Sequence, residues 1–231
     1  LAAFANIRPI RMWTSKLESP LRPELVAGLD MIIIRELTGG LYFGPKELDA
    51  DHGLDTCAYT AAEVERVVRY AFDLARTRRG RVCSVDKQNV LSSSKLWRQV
   101  VLERVAPDYP DVEVSHQLVD SMAMKLIEQP LAYDVIVTEN MFGDILSDLA
   151  ASVSGGIGLA PSASLGESRP GLYEAIHGSA PDIAGQGIAN PTAMVLTVAM
   201  MLRDLGQRAA AEDRKSTRLN SSHSSVSRMP S

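Results

Sequence analysis

Two patterns of apolar and polar positions alternate along the chain. Residues 31–34 form a continuous apolar run, which is typical of a buried strand. From Val64 to Ala75, apolar residues recur every three or four positions, and this spacing predicts a helix with one buried face. Thr60 and Glu63 precede this helix at the spacing of a capping box, and Gly80 follows it as a terminator.

The alternation continues over most of the remaining sequence. A short helix is predicted at 23–28, and two short strands, a glycine-rich loop and a helix opened by Pro191 are predicted after residue 155. Between them, the pattern predicts strands at residues 81–86, 112–119 and 134–138, and helices at 95–105, 121–128 and 142–153. Strands separated by helices of this length predict an α/β sheet that is covered on both faces.

The composition is that of a folded globular protein. Of 231 residues, 45% are hydrophobic and 23% are charged, which suffices to bury a core. The longest apolar stretch, residues 193–202, is about half the length of a membrane-spanning helix, so no membrane association is expected. The two cysteines, Cys57 and Cys83, cannot form a disulfide framework, which fits a cytoplasmic location.

The net charge of −4 is divided between an acidic body and a basic tail. Residues 213–231 carry four basic residues and one acid, so the body has 20 basic and 27 acidic residues, a net charge of −7. An acidic body argues against a nucleic-acid partner, because phosphate binding needs clustered lysine and arginine. The serine-rich tail lacks hydrophobic periodicity and resembles a translated sequencing adapter at 213–223, so we expect it to be disordered and non-native.

Two aspartates on one predicted helix are candidates for metal binding. Asp144 and Asp148 are four residues apart, so their carboxylates project from one helix face and repel each other unless a counter-charge is present. Mg²⁺ or Mn²⁺ would supply that charge, whereas the alternative is a pair of solvated surface acids. Asp120, at a strand-to-helix junction, is either a third ligand or an N-cap.

Other candidate groups stand at or near predicted strand ends. Arg8 and Arg35 lie in strands, and Arg35 emerges where α/β sites usually form. A guanidinium suits a carboxylate substrate, but an ion pair of Arg35 with Glu36 or a helix acid is an equally simple role. Lys87 is either a base with a lowered pKa or a solvated lysine, and Tyr42 is either a proton donor or a packing residue.

The segment 177–185 is a loop of small residues whose backbone a ligand can approach closely. An acid in such a loop can accept both hydroxyls of an adenosine ribose, which selects NAD over its 2′-phosphate. The spacing of Gly185, Gly187 and Asn190 departs from a Rossmann fingerprint. No cysteine or histidine pair has the spacing of zinc ligands, so zinc is not expected.

Four segments resemble the 3-isopropylmalate dehydrogenases of the isocitrate/isopropylmalate dehydrogenase superfamily. The resemblance covers residues 1–207 and is most specific in RELTGGLYFG at 35–44. The other segments are DKQNVL at 86–91, NMFGDILSD at 140–148 and HGSAPDIAG at 177–185. Gln88 replaces the alanine that is common in the second motif.

The resemblance implies oxidative decarboxylation of 3-isopropylmalate to 4-methyl-2-oxopentanoate, with NAD reduction, in leucine biosynthesis. It implies that Tyr42 and Lys87 are catalytic, that Arg8, Arg35 and Asp120 bind substrate, and that Asp120, Asp144 and Asp148 bind Mg²⁺ or Mn²⁺. The enzyme would be a homodimer in which Lys87 and Asp120 serve the neighbouring subunit's site. The implied NAD-binding residues are Asn89, Glu174, His177, Gly178, Ser179, Ala180, Pro181, Asp182, Ile183 and Asn190.

The implied fold is a three-layer α/β/α, two-domain architecture that is not a Rossmann fold and is incomplete at both ends. Residues 1–154 would form the substrate, metal and dimerisation domain, with a projecting arm at about 37–56, and residues 155–212 part of the cofactor domain. The family's N-terminal recognition region is absent, and we expect this fragment to be poorly stable alone because its sheet lacks strands and exposes an edge. The alternatives are a related homoisocitrate, tartrate or isocitrate dehydrogenase, or a truncated non-catalytic subunit.

Overall fold

The structure is a computed structural model that describes residues 2–13, 19–168 and 170–213. The tail that the sequence predicts to be disordered lies outside the described residues except for Asp213. Asp213 lies in a helical segment at 208–213, which differs from the expected disorder at this one position. Among the described residues, no helix combines the length and the apolar character needed to cross a bilayer.

Before the helical segment at 208–213, the described residues form nine strands and six α-helices in the order that the sequence pattern predicts. The strands are β1 Ala3–Arg11, β2 Asp30–Glu36, β3 Lys46–Leu48, β4 Gly53–Asp55, β5 Arg81–Asp86, β6 Glu113–Leu118, β7 Val135–Thr138, β8 Pro161–Gly166 and β9 Leu172–Ala175. The helices are α1 Pro23–Val26, α2 Ala61–Arg76, α3 Ser92–Val100, α4 Val119–Glu128, α5 Asn140–Val153 and α6 Thr192–Asp204. A π-helical turn at Val101–Val105 continues α3, which accounts for the longer predicted helix.

Seven strands form one mixed sheet in the order β6-β5-β7-β2-β1-β8-β9. The first four are mutually parallel, while β1 runs antiparallel to β2 and β8. In β2, Ile32 and Ile34 pack towards α2 and α3, whereas Met31 and Ile33 pack towards α4 and α5. The sheet is therefore covered on both faces, which confirms the three-layer α/β/α fold. The division into two domains stays a prediction, and β8 and β9 extend the same sheet.

The strand order brings several candidate residues to one edge of the sheet. The parallel strands β5, β6, β7 and β2 all end there, and Lys87, Asp120, Asn140 and Arg35 lie at or just beyond those ends. Arg8 reaches the same region from β1, because it pairs with Ile33 two positions before Arg35. Functional groups from distant parts of the sequence therefore meet at the carboxyl ends of the parallel strands.

The segment expected to form the arm, at about 37–56, contains β3 and β4, which form a separate two-stranded antiparallel sheet. Lys46 Nζ donates hydrogen bonds to Asp55 Oδ1 at 2.6 Å and to the Leu41 carbonyl at 2.7 Å. At Gly44 the chain passes so close to Thr56 that an added Cβ would lie 1.8 Å from the Thr56 carbonyl oxygen. Only glycine fits at position 44, because the two ends of the segment that carries β3 and β4 lie against each other there.

The capping box predicts a measurable contribution to stability. Thr60 Oγ1 accepts a hydrogen bond from the Glu63 amide at 3.3 Å, and the Glu63 carboxylate accepts one from the Thr60 amide at 2.7 Å. Thr60→Ala removes the side-chain half of this box, so the free energy of unfolding should fall by about 1 kcal/mol. Urea denaturation of the chain checks this, with Thr60→Ser as the control that keeps the hydroxyl. Equal midpoints for Thr60→Ala and the native chain would contradict the expectation.

Candidate functional site

Two arginines and two aspartates form the centre of the candidate site. Arg8 Nη1 lies 3.2 Å from Asp144 Oδ1 and 3.3 Å from Asp148 Oδ1. Arg35 Nη1 forms an ion pair and a short hydrogen bond with the same Asp144 oxygen. The two carboxylates do share one face of α5, as the spacing predicts. Among the described residues, arginine supplies a counter-charge to both carboxylates, and the Asp148 side chain is 52% exposed. Metal binding by this pair stays a prediction.

The electrostatics of this cluster depend on burial. Burial lowers the pKa of Arg8, and the neighbouring Arg35 lowers it further, while the two aspartates act in the opposite direction. Burial also raises the pKa of Asp148, which Arg8 partly offsets. An arginine remains protonated under such conditions, so the cluster combines two cations with two acids at an edge that solvent reaches.

Each arginine is oriented by an asparagine. Asn6 Oδ1 accepts a hydrogen bond from Arg8 Nε at 2.6 Å, and Arg8 Nη1 also donates to Ser147 Oγ at 2.6 Å. Asn140 Oδ1 accepts from Arg35 Nε at 2.9 Å. Because the Nε atoms are engaged, the Nη groups of both arginines are directed towards the aspartates.

Glu36 is not the partner of Arg35, so that alternative is wrong. The Glu36 side chain is fully buried and accepts hydrogen bonds from the Thr38 amide and hydroxyl and from the Gly39 amide, at 2.8–2.9 Å. It fixes the turn that follows β2. The other simple role, an ion pair of Arg35 with a helix acid, is the one that the structure contains, with Asp144 as the acid.

Tyr42 belongs to the same cluster. It ends the helical turn Gly40–Tyr42, and its hydroxyl donates to Asp144 Oδ2 at 3.0 Å. This hydrogen bond raises the pKa of Tyr42 because it favours the neutral phenol. The ring is 45% exposed and lies 5.4 Å from the Arg35 guanidinium, so Tyr42 is not a core packing residue.

Several residues that support the site are not predicted from the sequence. Glu139 caps α5 by accepting hydrogen bonds from the amides of Met141 and Phe142, and the Tyr59 hydroxyl accepts from the Asn140 amide at 3.0 Å. Glu139 lies directly before the NMFGDILSD motif and Asn140 within it, so proximity to a recognised motif is the available signal. Tyr59 has no such signal, because it is distant in sequence from everything that it supports.

A second group lies at the same sheet edge. Lys87 Nζ donates to Asp120 Oδ1 at 2.7 Å, and this hydrogen bond is the main reason that the pKa of Asp120 is lowered. Asp120 lies within the first turn of α4, whose N-cap position is Leu118, so the N-cap role is wrong. Among the described residues, no three acidic, histidine or cysteine side chains are grouped as a metal site. The three-aspartate site is therefore not formed within the described part of one chain.

The residues expected to bind NAD are mainly in an exposed loop. Asp182 lies in the helical turn Pro181–Ile183, and no hydrogen bond from another described residue occupies its carboxylate. His177 Nδ1 is 2.9 Å from the Gly178 carbonyl oxygen, and Asn190 Oδ1 accepts from the amide of Thr192 at 3.0 Å. Ser179 and Ala180 are on the same loop, and Glu174 is close to it. Asn89 is the exception, because it is exposed near Lys87.

Comparisons with known proteins identify the family of this chain. A family model described as isocitrate/isopropylmalate dehydrogenase matches residues 1–221, a range that extends into the tail expected to be non-native. The 3-isopropylmalate dehydrogenase of Streptococcus pneumoniae is 58% identical over 205 residues, which cover 88% of this chain and 59% of that protein. The enzyme of the same name from Pseudomonas putida is 55% identical over 220 residues, covering 92% and 61%.

A solved structure shows the same arrangement of elements. Isocitrate dehydrogenase from Methylococcus capsulatus superimposes with a TM-score of 0.83 at 40% sequence identity, covering 90% of this chain and 61% of that chain. The chain thus spans about three fifths of the length of the curated relatives that it matches. The remaining two fifths of those proteins have no counterpart among these residues.

A glycine in α5 is required by the position of Arg35. An added Cβ at Gly143 would lie 2.7 Å from Arg35 Cβ and 3.1 Å from its Cα. Gly143→Ala should therefore push α5 away from β2 and lower the free energy of unfolding by about 1–3 kcal/mol. Urea denaturation tests this against Gly53→Ala, where the nearest atom to the added Cβ is 3.7 Å away. Equal losses in the two variants would show that the close approach is not responsible.

The Lys87–Asp120 pair predicts a change in proton binding. Lys87→Met removes the main cause of the lowered pKa, so the pKa of Asp120 should rise towards its ordinary value. At pH values between the pKa of Asp120 in the native chain and its pKa in the variant, the carboxyl would be mostly ionised in the native chain and mostly protonated in the variant. Carbon-detected NMR titration of the Asp120 carboxyl measures this, and Lys95→Met serves as the control. A pKa that is identical in native chain and Lys87→Met would exclude the contact.

Proposed function

This chain belongs to the isocitrate/isopropylmalate dehydrogenase family, and we propose that the protein of which it forms part is a 3-isopropylmalate dehydrogenase. It oxidises 3-isopropylmalate with NAD and releases CO₂ and 4-methyl-2-oxopentanoate, a reaction of leucine biosynthesis in the cytoplasm. The observation that carries the proposal is the convergence of Arg8 and Arg35 on Asp144 and Asp148. The names of the curated relatives support 3-isopropylmalate as the substrate.

The arginines recognise the dicarboxylate. Arg8 and Arg35 present their Nη groups at the carboxyl edge of the sheet, while their Nε groups are held by asparagines. Both side chains are largely buried, which strengthens their attraction for an anion and reduces the entropy lost on binding. A substrate with two carboxylates can engage both guanidinium groups.

The aspartates fit a divalent cation. Asp144 and Asp148 project from one face of α5 and offer carboxylate oxygens, which Mg²⁺ and Mn²⁺ prefer. Magnesium is commonly held by one or two carboxylates together with water and substrate oxygens, so two aspartates from one chain suit it. The partner subunit's Asp120 completes the proposed set. When bound, the cation polarises the hydroxyl and carbonyl oxygens of the substrate.

Proton transfer falls to Lys87 and Tyr42. Lys87 of the neighbouring subunit takes the proton of the substrate's C2 hydroxyl as C2 is oxidised, and bound NAD⁺ would supply the hydride acceptor. The oxidation leaves a ketone at C2, which makes the carboxylate on C3 labile. When that carboxylate leaves as CO₂, its bonding electrons remain on C3, and Tyr42 donates the proton that C3 then requires. The Tyr42 hydroxyl is already held among the substrate-binding groups by Asp144, which suits it to deliver that proton.

The exposed loop fits the adenosine part of NAD. The Asp182 carboxylate is available to accept both ribose hydroxyls, and it would repel the additional phosphate of NADP. An added Cβ at Gly178, Gly185 or Gly187 would meet no atom within 4 Å, so these positions border open space that a cofactor can approach. When bound, NAD supplies the hydride acceptor.

An apolar surface next to both groups supports a homodimer. On α4, Met124 and Ile127 are exposed and follow Asp120 at helical spacing, and on α5 the exposed Ile145 adjoins Asp144. Exposed apolar side chains on adjacent helices are typical of a protein interface. Isologous pairing of this surface would bring Lys87 and Asp120 of one subunit towards the aspartates of the other.

Steady-state NAD reduction by the intact protein tests the activity. We expect turnover with 3-isopropylmalate in the presence of Mg²⁺ or Mn²⁺, and much less with isocitrate, homoisocitrate or tartrate. Lys87→Ala should lower kcat by about a hundredfold or more, because a positioned base contributes on that scale. Lys95→Ala, an exposed lysine on α3, is the control. Faster turnover of another acid would refute the substrate, and full activity of Lys87→Ala would refute the base.

Subunit mixing tests the shared site. Lys87→Ala and Asp144→Asn proteins should each be inactive, but dimers formed by refolding them together contain one site with neither defect. About a quarter of native activity should return, since half of randomly formed dimers are mixed. Mixing Asp144→Asn with Asp148→Asn is the matched control and should restore nothing. No recovery in the first mixture would place Lys87 and Asp144 in the same subunit's site.

A further inference from the structure

One buried side-chain amide lies where three elements of the site meet. Asn140, the first residue of α5, is 1% exposed, and its amide takes part in three hydrogen bonds. Oδ1 accepts from Arg35 Nε at 2.9 Å, and Nδ2 donates to the carbonyl oxygens of Leu37 and Gly39, each at 3.1 Å. The amide thus joins the end of β2, the turn that leads to the arm, and the start of α5.

These contacts are part of a closed ring. From Gly39 the chain passes through one helical turn to Tyr42, whose hydroxyl donates to Asp144 Oδ2 at 3.0 Å. The other oxygen of Asp144 pairs with Arg35 Nη1, and Arg35 Nε returns to Asn140. The Arg35 guanidinium also faces the Tyr42 ring at 5.4 Å. A change in the orientation of one member is therefore transmitted to the others.

The main chain of Asn140 is fixed by contacts that do not involve its side chain. The backbone N–H of Asn140 donates to the Tyr59 hydroxyl at 3.0 Å, and Glu139 caps α5, the helix that Asn140 begins. Tyr59 also packs closely against Gly39 and Gly40, where an added Cβ would lie 2.5 Å from a ring carbon and from the hydroxyl oxygen, respectively. Substitution of the Asn140 side chain consequently removes the ring contacts while these supports of α5 remain.

We propose that Asn140 is a positioning residue that couples the orientation of Arg35 to the placement of Tyr42. The inference rests on the proposed function, in which Arg35 binds a substrate carboxylate and Tyr42 donates a proton. With its Nε held, Arg35 turns its Nη groups towards the bound anion. With the Leu37 and Gly39 carbonyls held, the turn keeps the Tyr42 hydroxyl at the same anion-binding cluster. One side-chain amide thereby fixes the distance between the Arg35 guanidinium, which binds the substrate, and the Tyr42 hydroxyl, which donates the proton.

A second buried asparagine provides a matched comparison. Asn6 is 3% exposed, and its Oδ1 accepts from Arg8 Nε at 2.6 Å. Its amide nitrogen, however, donates to Ser162 and Ser164 on β8 at 3.0–3.1 Å. Among the described residues it has no hydrogen bond to the turn that follows β2. Both asparagines therefore orient an arginine, but only Asn140 connects its arginine to the segment that carries Tyr42.

The test compares Asn140→Ala, Asn140→Asp and Asn6→Ala in the intact protein. Asn140→Ala removes all three hydrogen bonds, whereas Asn140→Asp keeps an acceptor for Arg35 Nε and loses both donors to the turn. Amide hydrogen exchange of the peptide 38–44, read by mass spectrometry, reports on the turn. The KM for 3-isopropylmalate and kcat report separately on binding and on the chemical steps.

Asn140→Ala should accelerate exchange at 38–44 by about tenfold, raise KM and lower kcat, each on a similar scale, because three buried hydrogen bonds are lost. Asn140→Asp should accelerate the same exchange and lower kcat while KM stays within about twofold, since Arg35 keeps its acceptor. Asn6→Ala should raise KM and leave exchange at 38–44 unchanged. This separation is not expected of a residue that only stabilises the fold.

Unchanged exchange at 38–44 in both Asn140 variants would overturn the proposal. So would a fall in kcat at constant KM for Asn140→Ala, because that result indicates a smaller folded fraction and no effect on Arg35. If the native protein does not turn over 3-isopropylmalate, the proposed function fails by itself. The exchange measurements then still decide whether Asn140 couples Arg35 to the turn.

Discussion

The site depends on the requirement that two carboxylates on one helix face be matched by positive charge. Asp144 and Asp148 repel each other on α5, and Arg8 and Arg35 balance them from β1 and β2. The requirement is mutual, because burial lowers the pKa of Arg8 and the aspartates oppose that effect. Since removing one member of such a cluster leaves another buried charge without a partner, the two strands and the helix are tied together where the chemistry is proposed to occur.

Neutral polar groups give this charge cluster its geometry. Asn6 and Asn140 each accept the Nε–H of one arginine, and the antiparallel register places Asn6 opposite Arg35. Fully satisfied polar networks of this kind are rigid, because any rotation leaves a buried donor or acceptor unpaired. Tyr59 extends the network by supporting both the start of α5 and the turn before Tyr42. The groups proposed for substrate binding and for proton transfer are thus held by the same buried contacts.

A single chain presents two separate groups at one edge of its sheet. The Arg–Asp cluster lies between β1, β2 and α5, while Lys87 pairs with Asp120 at the start of α4. The apolar side chains exposed on α4 and α5 adjoin both groups. The proposed dimer would bury this surface and would bring together the aspartates that the described part of one chain leaves apart.

The amino-acid sequence alone determines what depends on local spacing. The apolar run of β2, the capping box of α2 and the shared face of Asp144 and Asp148 follow from residues a few positions apart, and short motifs indicate the family. The tertiary structure decides which groups meet. Arg35 pairs with Asp144, 109 positions away, and not with the adjacent Glu36, and Asn140 acquires its role from residues more than 100 positions earlier. The order of the strands in the sheet sets these contacts, and that order comes from the pairing of strands that are distant in the sequence, which no local pattern encodes.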